Sequence, residues 1–324
     1  MDNWTEKREL VRVAKLYYMN GLTQAEIAKK LGVSRPVISK LLQRAKDTGV
    51  VEIYIRDETV SMVELEQQLE HAYGIEEVIV VPVMGSDNEE LVKQQVAKAA
   101  AQHLPKWVRN KQKIGISWGT TLYHLVNEFP FERDHRIKVY PLVGGIGRQR
   151  IEIHANQLAY ELSKKLGGTC EFLYAPAIVE TVELKRQLVE SPDIRSLLEE
   201  AKQVELAIVG VGNPFSSTMR EMGYLNEEEI RQLYEGQAVG DIGSRFIDAS
   251  GEAINIPLNS RVIGIELSDL RNIPTVIGVV SGMKKLEAVL GILKGRYFDK
   301  LIIDEYLAEA LLAKAKGVKV RERA

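Results

Sequence analysis

A single cysteine, Cys170, ten prolines and the absence of any long apolar run define what this 324-residue chain does without. A lone thiol forms no intrachain disulfide and gives a metal no thiolate partner, which suits a reducing cytoplasm. The longest apolar run, Val78 to Met84, fits one buried strand and falls far short of the roughly 18 residues that a bilayer span needs. The opening MDNWTEKREL is charged where a secretory leader requires an apolar centre, so no targeting segment and no membrane partner are expected. The five histidines show no metal-ligand spacing. With 45% apolar and 27% charged residues, the composition is that of a globular protein, and the length predicts roughly two domains.

Net charge is only −2, but it is unevenly spread. Residues 1–56 carry 11 Lys and Arg against 6 Asp and Glu, a net of +5, and the rest of the chain is at −7. Such asymmetry is expected when the small end meets a polyanion and the large end does not. This division sets the expected domains at 1–56 and 57–324.

Within the basic end, apolar residues recur at helical spacing from Glu6 to Met19, and Asn20-Gly21 supplies a stop. Thr23-Gln24-Ala25-Glu26 is a capping box for a second helix, about Thr23 to Leu31, that buries Ile27, Ala28 and Leu31. Gly32 permits the tight turn that follows. Ser34 and Pro36 open a third helix, about Arg35 to Lys46, with Val37, Ile38, Leu41, Leu42 and Ala45 as its apolar stripe. Arg35, Ser39, Lys40, Gln43 and Arg44 are then turned outward, with donors and acceptors suited to base edges and phosphates. Two short helices around a glycine turn, the second of them basic outside, form a helix-turn-helix for double-stranded DNA, with Thr23, Gln24, Ser34 and Pro36 at its approach. The alternative is a helical hairpin for protein docking. Val50 to Ile55 has strand character and predicts a wing.

Beyond a linker helix at Val60 to Tyr73, strand and helix patterns alternate. Strands are predicted at Val78–Val83, Lys113–Ser117, Ile137–Leu142, Thr169–Leu173, Glu205–Val209, Val262–Ile265, Thr275–Val279 and Lys300–Ile303. Helices are predicted at about Asn88–His103, Thr120–Asn127, Ile153–Leu166, Val182–Val189, Glu227–Tyr234, Lys285–Leu293 and Glu305–Ala315. This is the pattern of a doubly wound α/β domain, whose ligands bind beyond the carboxyl ends of the strands. Four glycine-bearing loops fall at such ends: Gly115-Ile116-Ser117-Trp118-Gly119-Thr120-Thr121, Val143-Gly144-Gly145-Ile146-Gly147, Val209-Gly210-Val211-Gly212-Asn213 and Val280-Ser281-Gly282-Met283-Lys284-Lys285. Free amides at a helix start, hydroxyls and the helix dipole suit a phosphate. Lys285, at a helix start where a cation is otherwise unfavourable, is explained by a bound anion.

Gly115-Ile116-Ser117-Trp118-Gly119 also matches the nucleophile elbow of α/β-hydrolases, but no histidine follows His154 to close a triad. The stretch Gly236 to Phe246 reads as a strand and loop offering Asp241 either to a sugar hydroxyl beside the phosphate or to a salt bridge with Arg245.

The order of these motifs resembles the SorC-type family of bacterial sugar-responsive transcriptional regulators, the sugar-binding DeoR-like group, over nearly the whole chain. The resemblance rests on Leu22 to Ala28 with Val33-Ser34-Arg35-Pro36, on Ser117-Trp118-Gly119-Thr120-Thr121, on Gly144-Gly145, on Ala238-Val239-Gly240-Asp241, on Ile263-Gly264-Ile265-Glu266-Leu267, and on Ser281-Gly282 with Lys285. It implies a winged helix-turn-helix followed by a non-catalytic effector domain similar to sugar-phosphate isomerases, in a dimer or tetramer that binds an operator. By motif, Ser117, Gly119, Thr120, Thr121 and Lys285 would hold the phosphate of a sugar phosphate, and Gln157, Asp241 and Glu266 would meet the sugar. The usual second glycine of the Ser281-Gly282-Met283 loop is missing. No lysine adjoins Gly144-Gly145, so a Schiff base is not expected, and no cofactor is implied.

The expected function is therefore regulation of a carbohydrate-utilisation operon through a phosphorylated sugar. The competing expectation is a sugar-phosphate isomerase or deaminase carrying a DNA-binding module, with Asp241 or Glu266 as general base.

Overall fold

The computed structural model describes residues 3–51, 60–83, 88–132, 136–216 and 218–317. The chain divides into two compact units, Met1–Val60 and Ser61–Ala324. In the first, α1 (Asn3–Ala14) runs into a π-helical turn at Lys15–Met19, where the Asn20 amide donates to the Lys15 carbonyl at 3.1 Å. The capping box then forms as the sequence predicts. The Thr23 amide donates to the Glu26 carboxylate at 2.8 Å and the Glu26 amide to Thr23 Oγ1 at 3.3 Å, starting α2 (Gln24–Leu31). Caps of this kind are worth about 1 kcal/mol each. Gly32, at φ 71°, turns the chain into α3 (Arg35–Asp47).

Val13, Ile27, Ala28, Ile38 and Leu42 make the small core of this unit. Val37 is 41% exposed, because Ile38, Leu42 and Ala45 set a stripe that it lies beside. Ser34 occupies the position before α3, but its hydroxyl caps no amide. Val50 and Val51 pack near Ala45, and the remainder of the predicted wing strand lies outside the described residues.

The second unit begins with α4 (Val60–Tyr73), β1 (Glu77–Val81), α5 (Glu89–Val108), β2 (Lys113–Ile116), α6 (Thr120–Glu128) and β3 (Lys138–Pro141). It continues through α7 (Ala155–Leu166), β4 (Thr169–Cys170), α8 (Val182–Glu190), α9 (Pro192–Ala201) and β5 (Leu206–Val209). Next come β6 (Val211–Gly212), α10 (Thr218–Glu221), α11 (Glu227–Glu235), β7 (Gly240–Ile242), β8 (Arg245–Ile247), α12 (Pro257–Ser260) and α13 (Leu267–Arg271). It closes with β9 (Val276–Val280), α14 (Leu286–Lys294), β10 (Lys300–Asp304) and α15 (Glu305–Ala315). No described helix is long and apolar enough to cross a membrane.

Among the described residues, seven strands form one sheet in the order β1-β10-β9-β5-β2-β3-β4, and every pairing is parallel. A parallel sheet is buried on both faces, which is why its strands are nearly unbroken apolar runs. Successive side chains serve opposite layers. Leu301 and Ile303 join the core with α4, α13, α14 and α15, and Ile302 joins the core with α5, α6 and α7. The connections from β2 and β5, which are neighbours, lead toward opposite edges of the sheet. This leaves a crevice at their carboxyl ends.

The predicted strand Val262–Ile265 does not join the sheet. It crosses the strand ends by isolated bridges, Val143↔Gly264 and Ile178↔Val262, with the Ile263 amide donating to Ala177 at 2.8 Å and the Ile265 amide to Leu142 at 3.0 Å. β6, β7 and β8 instead make a separate antiparallel sheet.

Gly144 lies where this crossing is tightest. A methyl there would sit 2.5 Å from the Ala175 carbonyl oxygen and 2.6 Å from the Pro176 carbonyl carbon. Backbone atoms cannot rotate aside, so Gly144→Ala should destabilise the chain by about 1–3 kcal/mol. Urea unfolding tests this as a lower midpoint at constant slope; an unchanged midpoint would mean that the crossing yields freely.

Candidate functional site

Three of the four glycine-bearing loops meet at the crevice and enclose a cleft of about 390 Å³. After β2, Gly119 takes φ 129° and ψ 167°, a conformation only glycine adopts readily, and so turns the chain into α6. Its own amide is used, donating to the Ile153 carbonyl at 3.0 Å. The amides of Thr120, Thr121 and Leu122 are in the first turn of α6, where no intrahelical acceptor exists, and these residues line the cleft. Ser117 is 1% exposed, and its Oγ accepts from the Gly210 amide at 3.3 Å, fixing the β2 loop to the β5 loop. The third loop, after β9, turns at Gly282, φ 97°, and carries Lys285 to the start of α14.

Asp241 enters from β7. It is buried at 6% exposure and faces Gly212, whose missing side chain leaves room for the carboxylate. Burial pushes its pKa up to about 6, against the opposing pull of Lys285 and the Ser244 amide. Lys285 is half-buried, and burial, together with the nearby Lys93 charge, brings its pKa down to about 8 despite Asp241, Asp304 and Glu89. Each group is thus held towards its neutral form by lost hydration.

Among the described residues, the other cations of the cleft are already paired: Lys93 with Glu90 at 2.7 Å, Lys284 with Glu89 at 2.8 Å and Arg150 with Glu152 at 3.5 Å. Lys285 makes no ion pair there. Among the described residues, no group of three or more His, Cys, Asp or Glu is placed to hold a metal ion.

Ser117, Trp118, Gly119, Thr120, Thr121, Asp241 and Lys285 are therefore brought together. Trp118 contributes partly as a strut, its Nε1 donating to Ser244 Oγ at 2.9 Å. Four other expected residues do not line this cleft. Gly144 and Gly145 form the backbone crossing, and the Gly145 amide donates to Ala175 at 2.9 Å. Gln157, on α7, donates to Glu161 at 3.2 Å. Glu266 caps α13 and pairs with the buried Arg245 at 2.7 Å. Arg245 thus pairs with Glu266 and not with Asp241. Its guanidinium also donates to the carbonyls of Ile265 at 2.8 Å and Asn259 at 3.2 Å.

The cleft has further walls outside the predicted loops, Glu89 and Lys93 from α5, Arg150, and Glu221 from α10, and it includes Asn213 at the end of the predicted β5 loop. Asn213 Nδ2 donates to the Lys284 carbonyl at 2.6 Å, joining two of the glycine loops.

On the first unit, Ser34, Arg35, Pro36, Ser39, Lys40, Gln43 and Arg44 are all exposed along α3. Gln43 donates to Asp47 at 2.9 Å. Thr23 is exposed, with its hydroxyl held in the capping box, and Gln24 is half-buried.

Comparison with known proteins agrees with both units. The family model described as "Putative sugar-binding domain" matches residues 57–313, and a MarR family model matches residues 16–69. The deoxyribonucleoside regulator of Bacillus subtilis is 33% identical over 309 residues, covering 95% of this chain and 98% of its own. A DeoR family transcriptional regulator from Listeria monocytogenes is 41% identical with a TM-score of 0.74, over 78% of this chain and 99% of that one. The full-length sorbitol operon regulator SorC from Klebsiella pneumoniae is 29% identical with a TM-score of 0.73, over 95% of this chain and 99% of that one. A helix-turn-helix joined to a sugar-binding effector domain defines a DNA-binding transcriptional regulator, not an enzyme. The chain belongs to the SorC family of these regulators.

Asp241 supplies a test of the cleft's electrostatics. Between its ordinary pKa of 3.8 and its folded value of about 6, the folded chain holds a proton that the unfolded chain has released. The stabilisation from this group is therefore complete below about pH 4 and is lost as pH rises through about 6. Asp241→Asn should be the more stable protein at pH 7.5, by on the order of 2 kcal/mol, with the difference closing towards pH 4. Thermal unfolding at the two pH values reads this; destabilisation at pH 7.5 would contradict it.

Proposed function

We propose that the cleft binds a phosphorylated sugar and that this ligand controls operator affinity for a carbohydrate-utilisation operon. The observation that carries the reading is Lys285, unpaired among the described residues, sharing one cleft with the first turn of α6 and the buried Asp241. A phosphate answers all three features. It accepts from the Thr120 and Thr121 amides and hydroxyls, it gives Lys285 a counter-ion, and it leaves the Asp241 carboxylate for a sugar hydroxyl. The names of relatives support the sugar part of this reading, since one is a deoxyribonucleoside regulator and another a sorbitol operon regulator, and the phosphate is argued from the cleft alone. No cofactor is required.

The DNA-binding part is residues 1–56 and the effector part 57–324. Arg35, Ser39, Lys40, Gln43 and Arg44 meet operator DNA in the major groove, as a recognition helix does. Each helix-turn-helix reads one half-site, so the working form is a homodimer or homotetramer in the cytoplasm. The ligand must bind one arrangement of that oligomer better than another, because equal affinity shifts nothing. A coupling of about 1–3 kcal/mol, or 5–150-fold in operator affinity, is the usual range.

A thermal-shift panel of sugar phosphates, each paired with its free sugar, tests the site. A ligand at about 100 times its dissociation constant adds about 2.7 kcal/mol. Stabilisation is expected from phosphorylated members alone and should be absent in Lys285→Ala. Equal stabilisation by the free sugars, or an undiminished shift in the variant, would move the site elsewhere. Arg35→Ala should weaken operator binding by about 1–3 kcal/mol at fixed salt; an unchanged titration would remove α3 from the groove.

A further inference from the structure

Asp304, the last residue of β10, is 1% exposed and lies behind the glycine loop that carries Lys285. Its two carboxylate oxygens have different partners. Oδ2 accepts from the Gly282 amide at 2.7 Å, and Oδ1 accepts from the Leu307 amide at 3.0 Å in the first turn of α15. One buried side chain therefore fastens the cleft loop to a helix on the sheet's outer layer. Helix α15 in turn holds α4: the Tyr73 hydroxyl donates to the Leu311 carbonyl at 2.7 Å, and Lys316 Nζ donates to Gln68 Oε1 at 2.8 Å.

Helix α4 is itself fixed to the sheet in an unusual way. Among the described residues, β1 pairs only with β10, so alternate amides of β1 face outward from an open edge. Glu70 accepts from the Val78 amide at 2.9 Å and Glu66 from the Val80 amide at 2.8 Å. The spacings match: alternate strand residues are about 6.6–6.8 Å apart, and side chains four apart on a helix are separated by a rise of about 6 Å. Two carboxylates thus replace a missing neighbouring strand and cover an edge that would otherwise invite pairing. In the chain, α4 is the helix that follows the DNA-binding unit.

We propose that Asp304 is a positioning residue for the effector loop, and that through α15 it ties occupancy of that loop to the seating of α4 on the β1 edge. The proposal rests on the reading of the cleft as an anion site. An anion that orders the Gly282–Lys285 loop tightens the Gly282–Asp304 bond, and the same carboxylate sets the first turn of α15 against α4.

Hydrogen exchange on the full chain, with and without inorganic phosphate, tests this. In the parent protein, phosphate should slow exchange several-fold at residues 282–286 and also at 305–312 and 66–81. Asparagine offers one acceptor oxygen in place of two, so Asp304→Asn can serve only one of the two amides. In that variant phosphate should still slow 282–286, and the effect at 66–81 should be lost. Tyr73→Phe leaves the cleft and Asp304 intact and should lose the effect at 66–81 alone, which keeps the test open if Asp304→Asn folds poorly. A response at 66–81 that survives in both variants, or a parent response confined to 282–286, overturns the relay and spares the cleft. No slowing at 282–286 in the parent overturns the anion site and the relay with it.

Discussion

All seven strands of the main sheet run one way, and the rest of the effector unit follows from that constraint. Parallel pairing collects every strand's carboxyl end, and the start of each following helix, at one edge. Where the connections of β2 and β5 part, the loops after β2, β5 and β9 converge without filling the space between them. Backbone amides at the start of α6 then face a cavity, and any side chain delivered there loses water. Asp241 and Lys285 are both delivered there. Their attraction for each other is smaller than what burial takes from each, which leaves one pushed up to about 6 and the other down to about 8. An anionic ligand with hydroxyl groups supplies what both lack.

The glycines of these loops do separate work. Gly119 and Gly282 adopt backbone angles that other residues resist, and each starts a helical turn facing the cleft. Gly212 gives its volume to the Asp241 carboxylate. Gly144 and Gly264 let two backbones cross at the strand ends, and Arg245 binds that crossing from beneath through the Gly264 and Ile265 carbonyls. Glu266 belongs to the same support. It holds Arg245, and Arg245 holds the strand ends in register with the antiparallel sheet that carries Asp241.

What was legible in the sequence was mainly local. The Thr23–Glu26 capping box, the Gly32 turn and the stripe of Ile38, Leu42 and Ala45 each depend on neighbours within one helix turn, and each formed as read. Seven of the eight predicted strands join the sheet, six of them as mostly buried apolar runs and the edge strand β4, Thr169–Cys170, as a short, partly exposed one. The eighth, Val262–Ile265, has the same composition, and long-range contacts such as that of Gly264 with Leu142 and Val143, which the sequence does not announce, make it cross the strand ends instead of extending the sheet. Helix α9 is not among the predicted helices, although Ser191-Pro192 is a start signal and Leu197, Leu198 and Ala201 are its buried residues. The loops around Ser117, Asp241 and Lys285 stand out in the sequence because glycines and polar residues fall together next to predicted strands, a pattern that the Gly144-Gly145 loop shares although it serves the backbone crossing instead. Glu89, Lys93 and Arg150 carried no such mark, since long-range packing alone brings them to the cleft. Gln157 and Glu266 entered through family resemblance, and the structure gives them partners outside the cleft.

The central claim is that the start of α6 and Lys285 together receive a phosphate. A crystal structure of the full chain with a stabilising sugar phosphate tests it most directly. The account predicts phosphate oxygens within hydrogen-bonding distance of the Thr120 and Thr121 amides and of Lys285 Nζ, with a sugar hydroxyl on Asp241. A phosphate seated at Arg150, or a ligand bound outside this cleft, would contradict it.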